Sequence, residues 1–483
     1  MAAWWRRYER YMGKNAILAF FVLCAFPTGL MMALITPPGQ SPDEPAHMAR
    51  ALGLLHGAVL GVRKPFIDPY TGKQRWHTGV KVNIGLFQAS VGPVTEIANR
   101  PVVTSQDFLA SRARPADPQR VYVNLPNTAT YFPGAYLPAT LGVAVGLLAY
   151  APPYACFLLG RLFMLAAYIA VGVACLWMAA FGEGFLLGIL LLPMTLFLGS
   201  TYNQDGLLIA MSCLACAALT RGSTGYRIFG LATFVLVLGS KPPYALMIGV
   251  FLLPLFGAGF WRRMCEVAIA SVPVVLWVMF ISAFVVVPFG IMAYHPGPLF
   301  VGDRSITLHH ADAGKNLHIL LARPTRFFTL PWQYVTSDWW LALWMMVGVL
   351  GPLQLVLPYH YYFLWESSLV FSLLGAFFTH RAQTTPRVHA LVNFFFVTGV
   401  IIITLWLILI MLYLDWTDVG KNLIDGFQGR YISPLLPFLL FALPAVRWRF
   451  KVPPLLPALP VIALGLYDMG YLPMKLVWNY YLH

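Results

Sequence analysis

Residues 41–47 read SPDEPAH, two adjacent carboxylates (Asp43 and Glu44) and a histidine (His47) set between prolines just after a long apolar run. A carboxylate held there by a stiffened backbone suits a general base, or a group that orients an acceptor hydroxyl. The same letters also read as a helix start, with Ser41 as N-cap, Pro42 at N1 and Glu44 at N3 in a capping box. Capping explains Ser41 and Glu44 but leaves Asp43 and His47 without a purpose.

Further along, STYNQDG (200–206) carries Asn203 and Asp205. Asp205 reads either as a helix cap or as a second carboxylate facing the space of Asp43, steering an acceptor with Asn203 and His47 or holding a divalent cation (Mg or Mn) with Asp43. Three cations complete the set. Lys241 in SKPPYA is either a snorkelling anchor or a point charge for phosphate. Arg430, in GFQGRY between Gln428 and Tyr431, suits phosphate or pyrophosphate, and Arg161 is a further cation near a span end. His295, His309, His310 and His318 gather no cysteine or compact carboxylate into a zinc set and read as a solvated loop. Cys213 and Cys216 make a C-x-x-C inside an apolar span, where packing is the simpler reading.

The elements that must position these groups are membrane helices. Of 483 residues, 59% are hydrophobic and only 10% charged, against about a quarter charged in soluble domains. Candidate spans fall near 16–36, 155–180, 184–200, 206–220, 228–240, 243–260, 265–289, 359–379, 389–412, 432–446 and 453–470. The chain therefore divides into an N-terminus with a first span (1–36), a long loop (37–154) and a bundle (155–483) with a further outer loop (290–358). The basic N-terminal flank and long first run read as an uncleaved span rather than a signal peptide.

Alternate connections carry Arg6, Arg7, Arg10, Lys14, Arg221, Arg227, Arg262, Arg263, Arg381, Arg387, Arg447, Arg449 and Lys451, while the loop 37–154, also rich in Arg and Lys, is too long for its charge to set orientation. Positive charge inside puts the N-terminus in the cytoplasm and every candidate site residue on the outer face. The segments 131–150 and 339–357 are expected to lie along the interface, since counting 131–150 as a crossing would invert this pattern. The net charge of +14 is scattered over loops, which points to anionic lipid headgroups or phosphates and not to nucleic acid. No P-loop occurs in the sequence, nor a G-x-G-x-x-G after a strand.

SPDEPAHMARA, FPGAYLPATLG, LHILLARPTRFF and IDGFQGRYISPLLP occur in that order. Together they resemble an uncharacterised family of bacterial predicted membrane proteins with P-P-D-E-P-A-H and Q-G-R-Y signatures, grouped with the GT-C integral membrane glycosyltransferases; here Ser41 stands where the family usually has proline. The resemblance implies an all-α bundle of about eleven transmembrane helices (eleven to thirteen), its first outer loop carrying interfacial helices, in the bacterial inner membrane. It implies transfer of a sugar from a polyprenyl-phosphate donor to a cell-envelope glycan or lipid on the outer face. Asp43 matches the position of the superfamily's catalytic acid, with Glu44 beside it, and Asp205 lies where relatives often carry another acid. Lys241, Arg430, Arg161, Tyr431 and Gln428 would then meet the donor phosphate, and an in-line displacement would invert the anomeric centre. The rival readings are a secondary transporter or lipid-linked glycan flippase, which would place charges near the bilayer midplane, and a non-catalytic partner in polysaccharide export.

Overall fold

The computed structural model describes residues 2–67, 74–90, 112–113, 116–253, 259–287, 311–379, 387–442, 452–453 and 455–482. His295, His309 and His310 lie outside them, as do the basic residues at 381 and 447–451. The chain is mostly helical. Among the described residues, five helices are long and apolar enough to cross a membrane: Gly13–Ile35, Pro153–Met178, Phe260–Phe284, Tyr359–Phe378 and Leu391–Asp415. They lie within α1 (Ala2–Ile35), α5 (Pro153–Met178), α10 (Phe260–Phe284), α13 (Tyr359–Thr379) and α14 (Arg387–Asp415).

The other expected spans take less regular forms. The stretch 184–200 is two short helices, α6 (Glu183–Leu191) and α7 (Pro193–Gly199), because Pro193 cannot donate to the preceding turn and Leu192 is extended at φ −50°, ψ 131°. Shorter apolar helices follow in α8 (Gln204–Leu219) and α9 (Thr224–Ser240). The prolines at 242 and 243 open an eleven-residue 3₁₀ stretch, Pro242–Leu252, and Leu436–Phe441 is likewise 3₁₀. The segment 133–148 is a 3₁₀ turn (Pro133–Tyr136) running into α4 (Leu137–Leu148). At 1.5 Å per residue these 16 residues reach about 24 Å, short of the ~30 Å hydrocarbon core. The chain closes with α15 (Leu459–Tyr481), beyond the 453–470 expected.

The expectation of an all-α chain needs one correction. The long first loop holds α2 (Glu44–Leu55) and a short α3 (Ile84–Gln88), but also a three-stranded antiparallel sheet of β1 (Val62–Ile67), β2 (Gln74–Asn83) and β3 (Arg120–Asn124). Its residues alternate as a half-buried strand should: Thr78, Val80, Val82 and Val123 turn inward, whereas Lys81 and Arg120 face out. Val80 packs against Gly53 near the end of α2, so the sheet backs the helix that carries SPDEPAH.

Of the stretch 290–358, expected as an outer loop, the described part forms α11 (Ala313–Ala322) and α12 (Arg326–Gly348). The backbone of α12 meets the turn Gly429–Tyr431 so closely that a Cβ on Gly429 would fall 2.1 Å from Met346 N and 2.2 Å from Ala342 O.

Candidate functional site

The start of α2 is where the site is built, and not as a capping box. Glu44 is the first helical residue and Asp43 the N-cap, in the left-handed region at φ 56°, ψ 15°, with no side-chain cap bond. That conformation is costly for a residue with a Cβ and has to be held by its surroundings. Ser41 Oγ lies 3.0 Å from Thr201 Oγ1 instead of capping the helix. Asn203 donates from Nδ2 to Pro42 O at 3.0 Å, and its Oδ1 accepts from the Asp205 amide at 2.8 Å. Asn203 is thus the N-cap of α8 and Asp205 is left out of the capping.

Glu44 and Arg161 form a separate, fully buried pair behind the site. Arg161 donates from Nε to Oε1 at 2.8 Å and from Nη2 to Oε2 at 2.6 Å. Its remaining donors reach the carbonyls of Ala33, Thr36 and Pro37 at 2.8, 2.6 and 3.2 Å, closing the open end of α1. Glu44 also accepts from Gly39 N at 3.1 Å and, more weakly, from Tyr202 N at 3.4 Å. With every donor engaged and no exposed surface, Arg161 has nothing left to offer a phosphate, and this geometry corrects its expected placement in the site. Glu44, equally enclosed, stands as the anchor of that arginine and not as an open acid.

In front of that pair the remaining charged candidates converge from four distant segments. Arg430 Nη2 donates to Asp43 Oδ2 at 2.8 Å, and its Nε stands 3.3 Å from Asp205 Oδ2. Lys241 Nζ stands 3.1 Å from Oδ1 and 3.4 Å from Oδ2 of Asp205, so it is a half-buried partner in an ion pair and not a snorkelling anchor. The ammonium also sits over the rings of Tyr131 (5.4 Å) and Tyr431 (5.1 Å). Only Asp43 is open: its side chain is 43% exposed, against 4% for Arg430 and 6% for Asp205. Among the described residues, Arg430 Nη1, though buried, has no hydrogen-bond partner, nor has Gln428 Oε1 nearby in the chain.

His47 joins this cluster through aromatic neighbours. Its Nδ1 lies 2.7 Å from the hydroxyl oxygen of Tyr136, and its ring stacks on Tyr131 with centroids 6.3 Å apart. Burial lowers its pKa to about 4, more than the nearby Asp43 charge restores, so it is neutral at pH 7. Burial works to raise the pKa of Asp43, but the Arg430 guanidinium outweighs it and holds the carboxyl below its usual range.

Sequence reasoning missed the walls. Tyr131 and Tyr136 belong to the segment 131–150, expected only to lie along the interface, and Gln204 beside Asp205, fully buried with both amide atoms unpartnered among the described residues, had no role assigned. Polar side chains just outside an apolar run were the available signal. No group of three or more potential metal ligands occurs among the described residues, His318 included.

A helical bundle with several membrane-spanning helices and a compensated charge cluster at the helix ends defines a polytopic membrane protein. The family model for predicted membrane proteins designated DUF2142 matches residues 26–439, and the chain belongs to that family. No curated protein and no solved structure matches it.

Proposed function

We propose that the chain is a membrane glycosyltransferase that moves a sugar from a polyprenyl-phosphate donor to a cell-envelope glycan or lipid. The observation that supports this most is the arrangement of Asp43: the one open carboxylate of the cluster, sharing a guanidinium that still has an unpaired, buried donor.

Asp43 takes the proton of the acceptor hydroxyl as that oxygen attacks the anomeric carbon. The carbon–phosphate oxygen bond breaks, and its electron pair leaves on polyprenyl phosphate. Arg430 and Lys241 neutralise the leaving group. Before the donor arrives both cations are held by carboxylates, which stand in for the phosphate anion. A phosphate drawing Arg430 toward itself loosens its hold on Asp43, so the base gains proton affinity when it is needed. Displacement from the opposite side of the sugar inverts the anomeric centre. Tyr131 and Tyr431 flank the cluster, with Tyr136 buried behind His47, and the polyprenyl tail enters between spans.

In this reading the bundle is GT-C-like with about eleven crossings, in a bacterial inner membrane. The distribution of Lys and Arg over short loops favours a cytoplasmic N-terminus and a site facing outward.

The test uses purified protein in detergent with a panel of synthetic polyprenyl-phosphate sugars, comparing wild type with Asp43→Asn. Release of polyprenyl phosphate by wild type alone supports the proposal. Equal release by both keeps the reaction and removes Asp43 as base. No release from any donor, together with an unchanged surface glycan in cells carrying Asp43→Asn, overturns it in favour of a transporter.

A further inference from the structure

The sheet in the first loop has one face that the proposed reaction does not use. Its strands, VRKPFI, QRWHTGVKVN and RVYVN, contain no acidic residue. Register sorts their side chains. Lys81 opposes Tyr122 and Asn83 opposes Arg120, while Lys64 opposes His77, which shares the face of Lys81 by the two-residue period. Lys64, Lys81, Arg120 and Tyr122 therefore stand on one face, and none of the three cations forms a salt bridge among the described residues.

The opposite face is turned to the helices. Val80, Val82 and Val123 are buried there, and Arg63 donates to the carbonyls of Ser282 and Ala283 at 3.1 and 2.9 Å, and to that of Val286, at the end of α10. The basic face is thus directed away from the bundle.

Tyr122 gives this face more than charge. Its hydroxyl donates to Val62 O at 2.8 Å, two strands away. Since neighbouring strands lie about 4.8 Å apart, the ring has to lie across β2 to reach that far. It passes over Gly79, which pairs with both Val62 and Asn124 and puts no side chain in the way. Lys64 Nζ sits 4.6 Å from the ring centroid. Arg120, diagonal to Lys81, is within about 8 Å of it across the ladder. The result is a strip of cations around an aromatic surface, spaced for charges that recur along a polymer.

We propose that this face binds an anionic polysaccharide, one bearing phosphate or carboxylate groups along its chain. Its direction away from the helices favours a polymer in the aqueous space over the headgroups of the surrounding bilayer. The sheet backs α2, and the ten residues from Gly53 to Asp43 span about 15 Å. A polymer held on the sheet has its end within reach of the charge cluster. That it serves as the sugar acceptor rests on the glycosyltransferase reading; the binding itself does not.

The experiment measures binding of the full-length protein, in nanodiscs of neutral lipid, to polyglycerol phosphate and polygalacturonate, with dextran and phosphatidylglycerol vesicles as comparisons. Wild type is expected to bind both polyanions and not dextran, with affinity falling steeply between about 50 and 300 mM salt. The variant Lys64→Gln/Lys81→Gln/Arg120→Gln, all at solvent-accessible positions, is expected to keep its melting temperature and bind about tenfold more weakly. Equal binding by wild type and variant overturns the proposal, as does equal or tighter binding to the vesicles through the same residues. If the variant loses stability, Lys81→Glu/Arg120→Glu decides by the same comparison. No donor is present, so failure of transfer leaves this result standing, and failure of binding leaves the transfer assay untouched.

Discussion

Replacing Arg161 with methionine strips the charge partner from Glu44 and five hydrogen bonds from the junction of α1, α2 and α5. Both side chains are at 0% exposure, so water does not take over. Removing one member of such a pair costs roughly 3–5 kcal/mol, chiefly because the other charge is left buried and alone. Removing the charge as well, in Glu44→Gln/Arg161→Met, is expected to regain about 1–3 kcal/mol, although the carbonyls of Ala33, Thr36 and Pro37 stay unpaired. Thermal unfolding in detergent, scanned at one rate for all variants, should place Arg161→Met roughly 3–5 °C below wild type and the double variant between them. The reasoning is refuted if Arg161→Met melts with wild type while donor affinity falls, which is how a phosphate ligand behaves. It is also refuted if the double variant melts no higher than Arg161→Met.

Three further outcomes follow from the same geometry. His47 has a folded pKa of about 4 against an ordinary 6.5, so the unfolded chain takes up the proton first and stability drops as pH falls from about 6.5 toward 4; melting curves of wild type and His47→Gln should diverge across that window, and turnover should show no bend near pH 6.5. Arg430 bridges Asp43 and Asp205 at 2.8 and 3.3 Å, filling the place a divalent cation would take; turnover in the proposed assay should survive EDTA, while Arg430→Gln should lose about a hundredfold, the loss of a group worth about 2.7 kcal/mol. Gly429→Ala puts a methyl into the backbone of α12 at 2.1 Å, which should cost about 3 kcal/mol or more and lower turnover by shifting Arg430, read from melting temperature and rate together.

Composition and apolar runs were enough to reveal a membrane protein, because bilayer thickness imposes one simple length rule. Asp43, Asp205, Lys241 and Arg430 stood out in the sequence as charges at the ends of apolar runs, with capping or anchoring readings open for Asp205 and Lys241, and the structure brings all four together. What they touch was not. A capping box and an acid pair share the letters SPDE, and the choice was made by Arg161, 117 positions from Glu44 in the chain. No local pattern reports that. The left-handed turn at Asp43 was hidden for the same reason: its backbone conformation is fixed by neighbours such as Asn203 on Pro42 O, not by its own preference. The sheet escaped notice because its strands are short and basic and lie in a loop where only interfacial helices were expected.

The two sides of the charge cluster are not equally stiff. Asp43 stands on a block where Arg161, Glu44 and Asn203 fasten the ends of three helices to one another. Lys241 and Arg430 stand instead at 3₁₀ segments, Pro242–Leu252 and Gly429–Tyr431, whose hydrogen bonds are weaker than those of an α-helix. The cluster resembles a vice with one fixed jaw and one that yields. Whatever enters it is met by a carboxylate that stays put, and room for a bulkier guest has to come from the side that carries the cations.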